Sequence, residues 1–322
     1  MKIGIFTVLF ANLSFEEMLD KVASSGLETL EIGTGGFPGN VHCPLQELLE
    51  NQQRRQEWLD TIRQHGLEIS AFSCHANPLH PHPESAKEAR QLIQETIQLA
   101  ALIGVENINT FSGCPGESQY SQHPSWVTCP WPPEFNEVLK WQWEEIAIPY
   151  WKEVNTFSKK YGVRVAIEPH PGFLVYNTET ALRLRERCGE WIGVNFDPSH
   201  FFWQGIDPST SLKILAEAGA LFHMHAKDTA FDEDNVRRNG VLDTKPYEQE
   251  LARSWIFRTI GYGQSEETWK SIFSTLQKVG YTGTVSIEHE DSLMSVEEGF
   301  QKAVEFLKRL RIRERQHQLW WV

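Results

Sequence analysis

Apolar residues along this chain fall into two alternating rhythms. Short, β-branched runs recur, each closing on polar residues: KIGIFT (2–7), TLEIG (29–33), EISAFSC (68–74), NINTFSG (107–113), VRVAIEPH (163–170), WIGVNFDPS (191–199), LFHMHAKD (221–228) and TVSIEHED (284–291). Between them the apolar positions take helical spacing, which predicts helices over 15–25, 44–65, 84–103, 134–161, 178–188, 209–218, 266–279 and 295–315. Ser14 and Glu17 have the spacing of a capping box for the first helix. Several strands follow a helix that stops at glycine, as in SSGLETLEI, QHGLEISAF, LIGVENINT, KYGVRVAIE and KVGYTGTVSI. Glycine takes the left-handed conformation that ends a helix most readily.

Strand–helix alternation implies parallel strands, and parallel strands need cover on both faces. Eight such units predict an α/β fold, a single (β/α)8 TIM barrel in one domain spanning 1–322. An open doubly wound sheet is the alternative, but no GxGxxG follows the first strand, so its dinucleotide-binding version has no support.

The net charge of −13 and the lack of a long basic run argue against nucleic acid or an anionic membrane as partner. No apolar stretch approaches the roughly 20 residues of a membrane span. MKIGIFTVLFA, residues 1–11, reads as a first buried strand rather than a secretory leader. Five scattered cysteines without CxxC spacing indicate reduced thiols and a cytoplasmic protein.

In such barrels the active site lies at the C-terminal ends of the strands, and this sequence keeps its charge there. IEPHP ends the fifth strand, placing Glu168 and His170 two residues apart on one face. The sixth ends in Asp197, with His200 three further on; the seventh carries His223, His225 and Lys227 on one parity; the eighth ends in Glu288 and Glu290. Any one of these could merely cap a loop. Gathered on one rim, Glu168, Asp197 and Glu288 would repel one another unless a cation sat between them. Three carboxylates and an imidazole form a hard, oxygen-rich set suited to Mn²⁺ first, with Mg²⁺, Co²⁺ or Zn²⁺ as alternatives.

The segments IEPHPGF, NFDPSH, FHMHAKD, FRTIGYG and SIEHED together resemble the xylose isomerase-like barrels, the sugar phosphate isomerases and epimerases. That family also includes inosose dehydratase, D-tagatose 3-epimerase and endonuclease IV. The resemblance implies one divalent ion held by Glu168, Asp197, His225 and Glu288, with His223 as the fallback ligand. It matches DxxH to Asp197 and His200, and the arginine before Gly-x-Gly to Arg258. His170 stands where xylose isomerase has the lysine of EPKP, so ammonium polarisation is exchanged for imidazole acid–base chemistry. Endonuclease IV needs further metal ligands that are missing here.

Expected catalytic residues are therefore Glu168, Glu288 and His170; expected substrate contacts are His75, His200, Lys227, Arg258 and Trp131. Two insertions, 112–135 with Trp126 and Trp131 and 229–257 before Arg258, follow strands at the active-site end. Either forms a lid with aromatic surfaces or a subunit contact. The terminal QLWWV reads as packing or as the contact of a homo-oligomer. The expected partner is a small sugar, sugar phosphate or cyclitol. The leading expectation is a metal-dependent isomerase or epimerase that removes a proton α to a carbonyl through an enediolate. A dehydratase or β-eliminating lyase acting on inososes or 3-keto-glycosides is the rival, and a non-enzymatic sugar-binding barrel the third reading.

Overall fold

The computed structural model describes residues 1–314 and 321–322. Eight parallel strands close into a barrel: β1 (Lys2–Phe6), β2 (Thr29–Gly33), β3 (Glu68–Ser73), β4 (Asn107–Phe111), β5 (Arg164–Glu168), β6 (Ile192–Phe196), β7 (Leu221–Ala226) and β10 (Thr284–Ile287). The sheet closes because β1 pairs on one edge with β10, Ile3 opposite Val285, and on the other with β2, Ile5 opposite Leu30. The expected barrel is what forms.

Side chains alternate between the faces of each strand. Leu30 and Ile32, Ile108, Val194 and Phe196, and Met224 turn outward and are fully buried against the surrounding helices. The residues between them turn into the barrel. There Glu31 of β2, Asn109 of β4 and His223 and His225 of β7 bond to one another across non-adjacent strands, and Asn195 of β6 bonds to His223 on the neighbouring strand. The upper half of the barrel interior is thus a polar floor rather than a packed apolar plug.

The helices run close to their expected spans, and the differences have local causes. The segment expected as one helix over 44–65 is two, α2 (Leu45–Glu50) and α3 (Gln52–Gln64). Asn51 between them is extended (φ −112°, ψ 105°), and its side chain accepts a hydrogen bond from the Arg54 amide at 3.1 Å, so it caps the second helix. The 134–161 segment starts as α5 (Glu134–Trp141) and ends as α6 (Ile148–Tyr161), with a π-helical turn over Gln142–Ala147. That turn aims the buried Gln142 at the preceding loop, where its Nδ-equivalent amide, Nε2, donates to the Gly116 and Ser125 carbonyls at 2.9 and 2.7 Å. The other helices are α1 (Phe15–Ser24), α4 (Pro83–Ile103), α7 (Thr178–Cys188), α9 (Pro208–Glu217), α11 (Glu266–Lys278) and α12 (Val296–Leu310). Gly26, Gly66, Gly104, Gly162 and Gly280, which follow α1, α3, α4, α6 and α11, all have positive φ, as the helix–glycine–strand pattern predicts.

The insertion before Arg258 contains a hairpin-like pair that its polar sequence did not reveal. β8 (Asp228–Phe231) runs antiparallel to β9 (Trp255–Arg258), and α10 (Glu233–Asn239) lies between them. Trp203, Trp255 and Phe257 form a small apolar cluster beneath this ribbon, with the first two rings stacked at 4.6 Å. Of the terminal segment expected to pack, 318–320 lies outside the described residues. Among the described residues no helix is long and apolar enough to cross a membrane.

Candidate metal centre and active site

The ends of four barrel strands supply the charged cluster. β5 stops at Glu168, whose Cα still pairs with Phe111 of β4. Pro169 has no N–H to extend the ladder, so the strand ends two residues before the expected His170. Asp197 likewise follows β6 rather than lying in it; it caps the short α8 (Pro198–Phe202), with Oδ1 accepting from the Ser199 amide at 2.9 Å. The cap fixes the carboxylate and leaves Oδ2 to point into the barrel mouth. His225 sits inside β7, and Glu288 is the first residue after β10. One ligand atom from each of Glu168, Asp197, His225 and Glu288 lies within 4.8 Å of every other. Oxygens about 2.1 Å from a Mg²⁺- or Mn²⁺-sized ion lie about 3 to 4.2 Å apart, so this spread needs little contraction to grip one.

Two further observations fit a metal. Asp197 Oδ2 and Glu288 Oε2 are buried and accept no hydrogen bond of good geometry, a costly state for anionic oxygen. Lys227, buried among them, lies 3.0 Å from the first and 2.9 Å from the second, and 3.0 Å from Glu290. Lys227 and the His200 and His225 imidazoles, three possible cations, face five carboxylates: Glu31, Glu168, Asp197, Glu288 and Glu290. Burial would raise the Glu168 carboxyl, but His225, His200 and His75 around it hold it well below the usual range. Burial would likewise lower Lys227, yet Asp197, Glu288 and Glu290 raise it well above the usual lysine value. The cluster is charged on both sides and short of positive charge.

Glu31, which the sequence reading passed over, anchors this cluster from below. Fully buried at the centre of the floor, its two oxygens both lie 2.9 Å from His225 Nε2. Ser73 Oγ and Asn109 Nδ2 donate to it at 2.5 and 2.8 Å. Burial alone would raise its pKa; facing His225 and His223 holds it well below the carboxylate range. His225 therefore donates its Nε2 hydrogen downward, and its Nδ1 faces Glu288 Oε2 at 2.9 Å and Glu168 Oε2 at 3.3 Å. The signal was legible: a glutamate on the inward parity of the apolar run TLEIG. His223 belongs to this lower layer, with Nδ1 3.0 Å from Asn195 Oδ1 and Nε2 3.3 Å from Ser70 Oγ. Burial pushes its pKa down to about 4 despite Glu31. The fallback ligand is thus one floor below the four-residue group.

The remaining expected residues divide by distance. His75 Nε2 lies 3.0 Å from Glu168 Oε2. His200 Nε2 is 3.3 Å from Glu168 Oε1 and 3.2 Å from Asp197 Oδ2. Burial lowers His200, but Asp197 more than compensates and its pKa rises to about 9. His170 is half-buried at the mouth, its ring 4.0 Å from that of His200. Its Nδ1 lies 2.6 Å from the Pro171 carbonyl oxygen, so Nδ1 carries the hydrogen and Nε2 is the basic atom. Burial and the neighbouring His200 push its pKa down to about 3. Arg258 is on the opposite parity of β9 from Phe257, which faces Lys227; its Nε pairs with Asp291 at 3.0 Å, away from the cluster. Trp131 is 73% exposed on the 112–135 loop, and the structure gives it no contact with the cluster.

Residues 19–310 match the xylose isomerase-like TIM barrel family. The chain belongs to that family. An uncharacterized protein of Bacillus subtilis, YfiH, is 38% identical over 311 residues, 96% of this chain and 98% of that one. Among solved structures, the probable 3-DHS dehydratase AsbF of Bacillus anthracis is similar with a TM-score of 0.64 at 16% identity, covering 96% of this chain and 99% of its own. The 3-keto-D-glucoside 4-epimerase YcjR of E. coli has a TM-score of 0.63 at 15% identity, covering 96% and 98%. At these identities the likeness of this family member to the solved structures is one of fold.

Proposed function

We propose that this xylose isomerase-like barrel is a divalent-metal-dependent carbohydrate isomerase or epimerase that removes a proton α to a carbonyl. The observation that carries this reading is the convergence of Glu168, Asp197, His225 and Glu288 within 4.8 Å, with two of their buried oxygens in ion pairs but without a hydrogen bond of good geometry. These four would hold the ion. Bound there, it would supply Lewis acidity that favours negative charge on a carbonyl oxygen.

The chain's own residues account for the proton. Glu168 ends β5 and Glu288 follows β10, with β6 and β7 between these strands in the barrel order, so their carboxylates reach a bound sugar from different directions. One removes a proton from the carbon next to the carbonyl, giving an enediolate, and the other returns it to a neighbouring carbon or to the opposite face. His75 and Asn195, whose side chains meet Glu168 Oε2 at 3.0 and 2.9 Å, orient the first carboxylate. His170, with Nε2 as its basic atom, is an alternative proton acceptor. The solved epimerase YcjR and its relatives of similar fold are in keeping with this assignment.

One observation favours elimination as a second reading. The His200 and His170 rings pack 4.0 Å apart beside the cluster, two imidazoles placed to serve as an acid for a departing group and a base. A dehydratase or β-eliminating lyase would use both. Incubating metal-loaded protein with free sugars, cyclitols and 3-keto-glycosides in D₂O tests the proposal. Metal-dependent incorporation of deuterium at carbon is expected, and an isomer or epimer as product selects the first reading over an unsaturated product. Absence of exchange across the panel with metal bound would leave a sugar-binding barrel.

A further inference from the structure

Two places near the barrel mouth are built to bind an anion, and the chain fills both itself. The first is the turn before α11, where successive backbone N–H groups point inward, an arrangement that cradles phosphate in many barrels. Here the Gly261 and Gly263 amides donate to Asp228 Oδ2 at 2.9 and 3.2 Å, the Gln264 amide to Oδ1 at 3.0 Å, and Trp269 Nε1 to Oδ2 at 2.9 Å. Asp228 is fully buried. Gly263 is needed for this approach, because a Cβ there would stand 2.7 Å from Asp228 Oδ1 and 2.4 Å from the Thr229 carbonyl oxygen. The second is Arg258. Its Nε, with the Thr259 and Leu293 amides, is taken by the buried Asp291 at 3.0, 2.8 and 2.9 Å.

Lys227 and Arg253 are also committed. Lys227 is shared by Asp197, Glu288 and Glu290. The Arg253 guanidinium bonds to the carbonyls of Lys245 and Trp255 and lies over the Tyr247 and Trp255 rings. Even with a divalent ion present, the four carboxylates at the mouth leave the cluster close to neutral, with no surplus positive charge for a dianion. Two exposed rings do connect to the cluster through side-chain contacts. From Glu168 the contacts run through His75 to Phe111 at 4.6 Å and on to Phe37 at 6.1 Å, a ring 71% exposed. On the other side they run through His200 to Phe257 at 5.4 Å and on to Tyr247, stacked at 5.8 Å and 53% exposed.

We propose that the substrate is a carbohydrate without a phosphate group, held beyond its metal-bound carbons by the exposed faces of Phe37 and Tyr247. Sugar C–H faces pack on such rings, and their hydroxyls need no cation. This rests on the reading of the site as a carbohydrate enzyme, so the test reads binding separately from chemistry. Calorimetry on the Mg²⁺-loaded protein would compare fructose, psicose and xylulose, each against its terminal phosphate ester, and inorganic phosphate alone. The free sugars are expected to bind at least tenfold more tightly than their esters, with no heat from inorganic phosphate. Tyr247→Ala and Phe37→Ala, both at exposed positions, are expected to weaken free-sugar binding about tenfold each while the circular dichroism spectrum stays the same. Tighter binding of the esters, competition by inorganic phosphate, or unchanged affinity in both variants would overturn the proposal. Free-sugar binding without deuterium exchange would uphold it while removing the enediolate chemistry. Binding of neither kind would overturn both readings.

Discussion

A single residue, Glu31, shows how far a side chain can be read from its neighbours in sequence. The rim carboxylates stood out because each ends an apolar run, where a charge has no packing role. Glu31 lies within its run, and only closure of the barrel brings it against His225 from the far side. Asn109 and Asn195 were missed for a similar reason: neutral amides inside strands carry no local signal, and their partners, Glu31 across the barrel for Asn109 and Glu168 on the neighbouring strand for Asn195, lie on other strands. The arrangement predicts a definite role for Glu31. By taking the Nε2 hydrogen it directs Nδ1 of His225 at the carboxylates, and outer partners of this kind support metal affinity. Glu31→Gln should fold with unchanged circular dichroism but bind Mn²⁺ about 10–100-fold more weakly in a competition titration. Equal affinity would show that His225 needs no charged partner. His170 makes the complementary case. His170→Gln should keep its metal and lose about 10²–10⁴-fold in kcat; recovery of the rate with excess Mn²⁺ would reduce His170 to an orienting role.

At the scale of elements, strand cores were legible and strand ends were not. Runs such as VAI (165–167) and IGV (192–194) are buried on both faces, so their apolar character is continuous. Past the last ladder bond the sequence keeps its β-like residues while the backbone turns away, as at Pro169 and at the Asp197 cap. The β8–β9 ribbon escaped because one of its strands, DTAF, is short and half exposed. Its attachment to the barrel depends on the Asp228 cradle, and this gives a test. Gly263→Ala places a methyl group 2.4 Å from the Thr229 carbonyl oxygen of β8, a backbone atom that cannot swing aside. The variant should lose about 1–3 kcal/mol in urea denaturation, with the denaturant midpoint lowered. An unchanged midpoint would mean that the ribbon shifts freely on the barrel.

The whole molecule was legible because a closed parallel barrel satisfies the constraints the pattern imposed: eight buried strands, helices on the outside, charge at one rim. What the pattern could not show is that the barrel interior is also polar. Its floor and mouth gather Glu31, Glu168, Asp197 and Glu288 inside one fold, and such concentration of like charge opposes folding unless counterions compensate. Stability should therefore be linked to metal, because an ion that binds the folded state alone stabilises it by mass action. At a hundredfold excess over Kd the gain is about 2.7 kcal/mol. For a chain of 322 residues, with an unfolding entropy near 2.1 cal/mol/K per residue, that corresponds to a rise in Tm of about 4 °C. Glu288→Gln removes one of the four proposed ligands while keeping side-chain volume. It should unfold at the same temperature with Mn²⁺ or with EDTA, whereas the natural protein gains those few degrees in scanning calorimetry. A shift of equal size in both proteins would place the stabilising ion elsewhere in the fold, and no shift in either would remove the metal from the site.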